Sequence, residues 1–233
     1  MADMRTVGMI GGLGPESTID YYRSIIERYR ERKADGSAPH ILINSLDVDK
    51  GITMLDAGRL DALADYLASG LEPLVRAGAD FVFIAANTPH LVFDELQRRS
   101  PIPLISIVRV TAERATALGV RKVGLFGTGF TMRASFYPEE FRRIGIAMVI
   151  PTEQEREEIH RIYIGELLKN QFRPQSCHAI LRIAQRMKAE DRVEAIVLAG
   201  TELPLLLRGS DAGIDWLDTT VIHVEAVVDE LLR

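Results

Sequence analysis

Two segments of this chain have the form of half-sites, and each lacks a reactive side chain where one is expected. The first is Phe81-Val82-Phe83-Ile84-Ala85-Ala86-Asn87-Thr88-Pro89-His90, and the second is Ala195-Ile196-Val197-Leu198-Ala199-Gly200-Thr201-Glu202-Leu203-Pro204. Each is an apolar run that ends in small residues, then a Thr, then the start of a helix. A nucleophile or base would stand at Ala86 and Gly200. The neighbouring Asn87, Thr88, Thr201 and Glu202 can cap helices, or can hydrogen-bond a bound carboxylate. His90 and Asp94 lie one helical turn apart and could act as a base with its orienting carboxylate, or could be a packed or surface pair.

A third candidate is Gly11-Gly12-Leu13-Gly14-Pro15-Glu16-Ser17-Thr18, between a strand and a helix. Its glycines let backbone amides approach an anion, and the helix start adds a favourable partial charge. A dinucleotide fingerprint needs a further glycine where Ser17 stands. A small carboxylate, a tight turn with no ligand, and a nucleotide remain the three readings. Thr128, Thr131, Tyr137 and Tyr163 could bring hydroxyls to a site, although tyrosine on an amphipathic helix is commonly core. Cys177, between Ser176 and His178, reads as a packed or incidental thiol. His40, His160, His178 and His223 show no ligand spacing, so no metal is expected.

The elements that would position these residues repeat. Arg5-Thr6-Val7-Gly8-Met9-Ile10-Gly11-Gly12 matches Arg121-Lys122-Val123-Gly124-Leu125-Phe126-Gly127-Thr128. Pro103-Leu104-Ile105-Ser106 likewise matches Asp215-Trp216-Leu217-Asp218. With the two half-sites, these matches share an offset of about 115 residues, which indicates internal duplication. Strands are predicted at 5–10, 39–46, 80–85, 102–106, 121–126, 145–150, 194–198 and 215–217. Helices are predicted at 15–33, 57–77, 89–99, 109–118, 131–143, 153–169, 175–190, 202–208 and 220–232. This alternation gives an α/β fold of two pseudo-symmetric, Rossmann-like domains with parallel sheets. The first domain is expected at 1–106 plus 212–233, and the second at 107–211. Ligands of such sheets bind beyond the strand carboxyl ends, so one cleft between the domains is expected.

Composition narrows the function classes. The chain has 233 residues, 47% apolar and 26% charged, with net charge −5 and an isoelectric point near 5.6. No basic cluster interleaved with aromatics appears, so nucleic acid is not an expected partner. No stretch reaches the roughly 18 apolar residues of a membrane span. The early glycines are unlike a secretory leader. A single cysteine excludes an internal disulfide and fits a reducing cytoplasm.

Together these motifs resemble the aspartate/glutamate racemase family, which works without pyridoxal phosphate. The resemblance rests on residues 11–18, Asn87-Thr88-Pro89-His90, Gly127-Thr128 with Thr131-Met132 and Phe136-Tyr137, Thr201-Glu202-Leu203, and Asp218-Thr219-Thr220. It implies a cytoplasmic isomerase of amino-acid metabolism that needs no cofactor and forms a homodimer. The implied partner is a small amino acid or dicarboxylate.

The resemblance also implies two cysteines facing opposite sides of the substrate α-carbon, at the positions of Ala86 and Gly200. One thiolate removes the proton and the other thiol returns it from the far side. Neither group is present, so His90, Glu202, a hydroxyl or water would have to substitute. Leu13, Asn87, Thr88, Thr128, Tyr163 and Thr201 are expected to position substrate, with Lys50 toward a distal carboxylate. Three readings stand: racemase-like or lyase/decarboxylase-type chemistry on a small acid, a non-catalytic small-acid binder, or a racemase in which Ala86 and Gly200 are engineered replacements.

Overall fold

The computed structural model describes residues 5–233. The first sheet is parallel, with strand order β2-β1-β3-β4: β1 is Thr6–Gly11, β2 His40–Ser45, β3 Phe81–Ile84 and β4 Leu104–Ile105. The second sheet is also parallel and repeats the order as β6-β5-β7-β8: β5 is Lys122–Gly127, β6 Ala147–Val149, β7 Ala195–Ala199 and β8 Asp215–Asp218. The register repeats as well. Val7 pairs with Phe81 in the first sheet, and Val123 pairs with Ala195 in the second.

Eleven α-helices link the strands among the described residues: α1 (Pro15–Arg32), α2 (Val48–Asp56), α3 (Leu60–Arg76), α4 (Phe93–Arg99), α5 (Ile107–Ala117), α6 (Gly129–Arg133), α7 (Phe136–Arg143), α8 (Glu153–Gly165), α9 (Pro174–Arg186), α10 (Leu203–Leu207) and α11 (Thr219–Leu231). A short tight helix, Thr88–Val92, precedes α4. Pro15 opens α1, where its missing N–H costs nothing.

The central strands are apolar throughout because parallel strands are covered on both faces. Every residue of Phe81–Ile84 and of Ala195–Ala199 is buried. In the first sheet, alternation sends Val7, Met9, Phe81 and Phe83 to one side, against Tyr21, Ile25 and Tyr29 of α1 and Val224, Val227 and Val228 of α11. Ile10, Val82 and Ile84 face the other side, with Leu63, Leu67 and Leu71 of α3 and Leu96 of α4. Each large side chain buried this way contributes about 1.5–3 kcal/mol.

The chain divides into one compact unit of Met1–Ile107 with His223–Arg233, and another of Val108–Ile222. The expected boundary at 212 is therefore too early. β8 hydrogen-bonds to β7, which keeps residues 212–222 with the second unit. Two further corrections concern helices. α2 falls in a stretch with no predicted helix, where Asp47 caps it by accepting from the Asp49 amide. The helix predicted at 131–143 is two helices, because Ala134 is extended (φ −84°, ψ 157°).

Candidate active site

In the first unit, β1 and β3 are neighbours, with Ile10 opposite Ile84. Their carboxyl ends bring the glycine turn and residues 86–88 to one edge. The turn is closed on itself. Gly12 N–H donates to Thr18 Oγ1 at 2.8 Å, and the Thr18 hydroxyl donates to the Gly14 carbonyl at 3.2 Å. Gly12 has φ +78°, and a Cβ there would strike Ser45 Oγ at 2.5 Å, so only glycine suits this turn. Ser17, which the motif reading used only to exclude a nucleotide, is buried and donates to the Ala85 carbonyl at 2.8 Å. Leu13 is half-buried against the cluster that contains Ala86. Lys50 is exposed on α2.

Ala86 and Asn87 are buried and Thr88 is half-buried. Asn87 occupies the cap position of the short helix without a side-chain capping bond. The imidazole of His90 is engaged by backbone on both sides. Its Nδ1–H donates to the Ala86 carbonyl at 3.0 Å, and its Nε2 accepts the Ile107 amide at 3.2 Å. Both ring nitrogens are held by backbone, the ring stacks on Phe93 at 5.0 Å, and Asp94 is exposed. His90 is thus a strut between the end of β3 and the start of α5.

His223 is a second buried strut that spacing did not single out. It accepts from the Tyr21 hydroxyl at 3.0 Å and donates to the Ile105 carbonyl at 3.1 Å. Burial, reinforced by the nearby His90, pushes its pKa down to about 3.

In the second unit, β5 and β7 are neighbours, with Gly127 opposite Ala199. Thr128 and residues 200–202 therefore share one edge. Thr128 caps α6 by accepting from the Thr131 amide at 3.2 Å. The Gly129 amide donates to His160 Nδ1 at 3.0 Å, a contact that motif spacing could not reveal.

Tyr163 reaches this edge from α8. Its hydroxyl donates to Glu202 Oε2, and the Thr201 hydroxyl donates to the same oxygen at 2.8 Å. Glu202 is only 5% exposed and Tyr163 4%. Burial first, and then the negative charge of Glu202, hold the Tyr163 hydroxyl well above its usual range. It therefore stays protonated and acts as a donor.

Gly200 completes the arrangement. A Cβ at Gly200 would lie 2.7 Å from Tyr163 Oη and 2.9 Å from its Cζ. The tyrosine ring fills the space that any side chain at residue 200 would enter. Cys177 is elsewhere in this unit, half-buried, with its sulfur 3.3 Å from Ser210 Oγ. No cluster of metal ligands occurs among the described residues. No described helix is long and apolar enough to cross a membrane.

The sequence profile described as Asp/Glu/Hydantoin racemase matches residues 10–227. The chain belongs to this family. A solved structure of a putative Asp/Glu racemase from Yersinia pestis is 31% identical, with a TM-score of 0.91 over 99% of this chain and 100% of that one. An aspartate racemase homologue from Pyrococcus horikoshii OT3 is 34% identical, with a TM-score of 0.84 over 99% and 100%. The broad specificity amino-acid racemase RacX of Bacillus subtilis (strain 168) is 21% identical over 97% of this chain and 98% of its own length. The two four-stranded parallel sheets with interleaved helices match the two-domain α/β fold of these racemases.

Proposed function

We propose that this protein is a cofactor-independent enzyme that binds a small amino acid or dicarboxylate and transfers a proton on one face of it. The observation that carries this reading is the hydrogen-bonded Tyr163–Glu202 pair, whose tyrosine ring stands where a side chain of residue 200 would project. Family membership and the amino-acid racemases among the relatives support the ligand class.

Inversion at carbon needs an acid–base group on each face, because the returning proton must arrive opposite to the departing one. At the β3 end, Ala86 offers a methyl group, and both nitrogens of His90 are bound to backbone. At the β7 end, Glu202 can accept a proton and Tyr163 can relay one. A single acid–base group supports α-proton exchange, or protonation of a carbanion left by decarboxylation or elimination. It does not support two-thiol racemisation. Asn87 and Thr88 in the first unit, and Thr128 and Thr201 in the second, are each candidates for holding a carboxylate. The match of Tyr163 to a residue without a side chain supports a natural departure from the two-thiol pattern over an engineered one.

The test combines thermal shift with proton NMR in D₂O and chiral chromatography, across aspartate, glutamate and related 2-substituted acids. Binding should raise the melting temperature. One or more compounds should exchange the α-proton or form product without gaining the opposite enantiomer. Conversion to a mixture of both enantiomers would sink the one-face mechanism. Absence of binding by every compound would sink the whole reading.

A further inference from the structure

The end of α9 departs from the way this chain ends its other helices. After α2, α3, α5, α7 and α10 the backbone turns left-handed on a glycine, at Gly58, Gly78, Gly119, Gly145 and Gly209. After the short helix Leu167–Lys169 it does so on Asn170. Glycine and asparagine are the residues that take this conformation most easily. α9 runs on into a wider π-type turn, Met187–Asp191, and there the left-handed residue is Arg192, with φ 57° and ψ 40°. A long charged side chain is kept here against the preference of the backbone, which points to a role for the side chain. Wide turns of this kind are frequent at functional sites.

Arg192 lines a surface groove of about 580 Å³ in the second unit, together with Lys188, Glu194, Asp211, Gly213 and Asp215. That volume is within the range of small-molecule sites. Ala195 pairs with Asp215 at the amino ends of β7 and β8, whereas Gly200, Thr201 and Glu202 follow the carboxyl end of β7. The groove is therefore at the opposite end of the sheet from the candidate active site. Three of its polar side chains are already engaged. Lys188 Nζ donates to the Gly213 carbonyl, the Gly213 amide donates to Asp211 Oδ1 at 2.6 Å, and the Arg121 amide donates to Glu194 Oε2 at 3.1 Å. Among the described residues no hydrogen bond or ion pair engages the Arg192 guanidinium or the Asp215 carboxylate. Both residues are exposed, so a ligand has no internal partner to displace.

We infer that this groove is a second binding site, for a zwitterion with free ammonium and carboxylate ends, whose carboxylate meets Arg192 and whose ammonium meets Asp215. A free amino acid and a short peptide share this chemistry. The inference is independent of the proposed function, because the groove holds none of the residues assigned to the reaction. A simple anion would face Glu194, Asp211 and Asp215 as well as the two cations, and like charges repel. A metal ion would face Lys188 and Arg192, and no cluster of metal ligands occurs among the described residues. A molecule that carries both charges satisfies both. The guanidinium fork takes a carboxylate through two parallel hydrogen bonds, and an ammonium offers three donors to a carboxylate.

The experiment is an amide NMR titration of the full chain with L-alanine, D-alanine and L-alanyl-L-alanine. N-acetyl-L-alanine and L-alaninamide serve as controls that each carry one charge. The amides of Arg192, Glu194, Gly213 and Asp215 should shift with at least one zwitterion, and the controls should bind about tenfold or more weakly. The affinities of alanine and the dipeptide, compared, identify which source the groove takes. Arg192→Gly should hold the melting temperature or raise it by up to about 4 °C, since glycine relieves the left-handed strain. It should also weaken the zwitterion about tenfold or more. Asp215→Asn should weaken the zwitterion but leave N-acetyl-L-alanine within about threefold. Shifts confined to residues 200–202 would overturn the inference and leave the proposed function standing. Controls that bind as tightly as the zwitterions, or no shift with any zwitterion, would also overturn it. So would an Arg192→Gly protein that keeps full affinity. A lower melting temperature for Arg192→Gly would show that the side chain serves the fold, and would overturn it too.

Discussion

The hydroxyl of Tyr163 lies 2.7 Å from the point where a Cβ on Gly200 would be. The two residues are 37 positions apart in sequence on α8 and beyond β7, yet one occupies volume that the other lacks. Gly200 is not in the left-handed region, so its backbone would accept a side chain. The tyrosine ring is what stands nearest in its way.

That relationship sets the first expectation. Gly200→Ala should destabilise the fold by about 1–3 kcal/mol through overpacking, and Gly200→Cys by at least as much. Tyr163→Ala should relieve most of the added cost, so a double-mutant cycle measured by urea denaturation should give a coupling above about 0.5 kcal/mol. Additive effects would mean that the ring moves aside without penalty. It follows that restoring thiols at residues 86 and 200 together cannot revive two-base chemistry while Tyr163 remains. Ala86→Cys with Gly200→Cys should stay silent in an aspartate or glutamate racemisation assay unless Tyr163 is also made small.

Tyr163→Phe keeps the packing and deletes only the hydroxyl. Stability should change by no more than about 1–2 kcal/mol. Proton exchange into a bound substrate should slow by about 10²-fold or more, the loss expected for a proton-transfer group. Exchange at the original rate in D₂O would remove Tyr163 from the chemistry and leave it a packing role.

The strut assigned to His90 is tested by stability. His90→Ala leaves the Ala86 carbonyl and the Ile107 amide without the ring that joins them. A loss of about 2–4 kcal/mol is expected in urea denaturation, from two stranded backbone groups and the cavity. A loss below about 1 kcal/mol would show that water replaces the ring.

His223 predicts an acid-sensitive fold. Its pKa is pushed down to about 3 in the folded chain, against about 6.5 when unfolded. Between these values the unfolded state binds the extra proton, so stability falls as pH drops. Its contribution is fully present above about pH 6.5 and declines by about 1.4 kcal/mol per pH unit below that, until about pH 3. Denaturation curves at a series of pH values should show this slope. His223→Gln should be less stable at neutral pH but flatter across the acid range. An equal slope in both proteins would assign acid sensitivity to other groups.

Much of this fold is legible in the residues alone. The repeated strand-turn segments, the continuous apolar runs of β3 and β7 and the alternation of elements determine two matching parallel sheets, because a βαβ unit with a doubly buried strand has few other ways to cover itself. α2 was not legible because its cap, Asp47, precedes a stretch with glycine and few strong apolar repeats. The break at Ala134 was not legible because the apolar period runs through it. The membership of β8 rests on its pairing with β7, and the repeat that matches residues 215–218 to residues 103–106 already points to it.

The site divides along the same line. Composition and order alone determined which positions are vacant of chemistry, Ala86 and Gly200, and which hydroxyls and amides flank them, since these are facts of residue type. Tertiary structure decided what those residues do: His90 became a strut because two backbone groups converge on its ring, and Gly200 became a socket because α8 lays Tyr163 across it. Side-chain identity is carried along the chain, but volume and hydrogen-bond partners are shared between segments distant in it, and only packing brings those segments together.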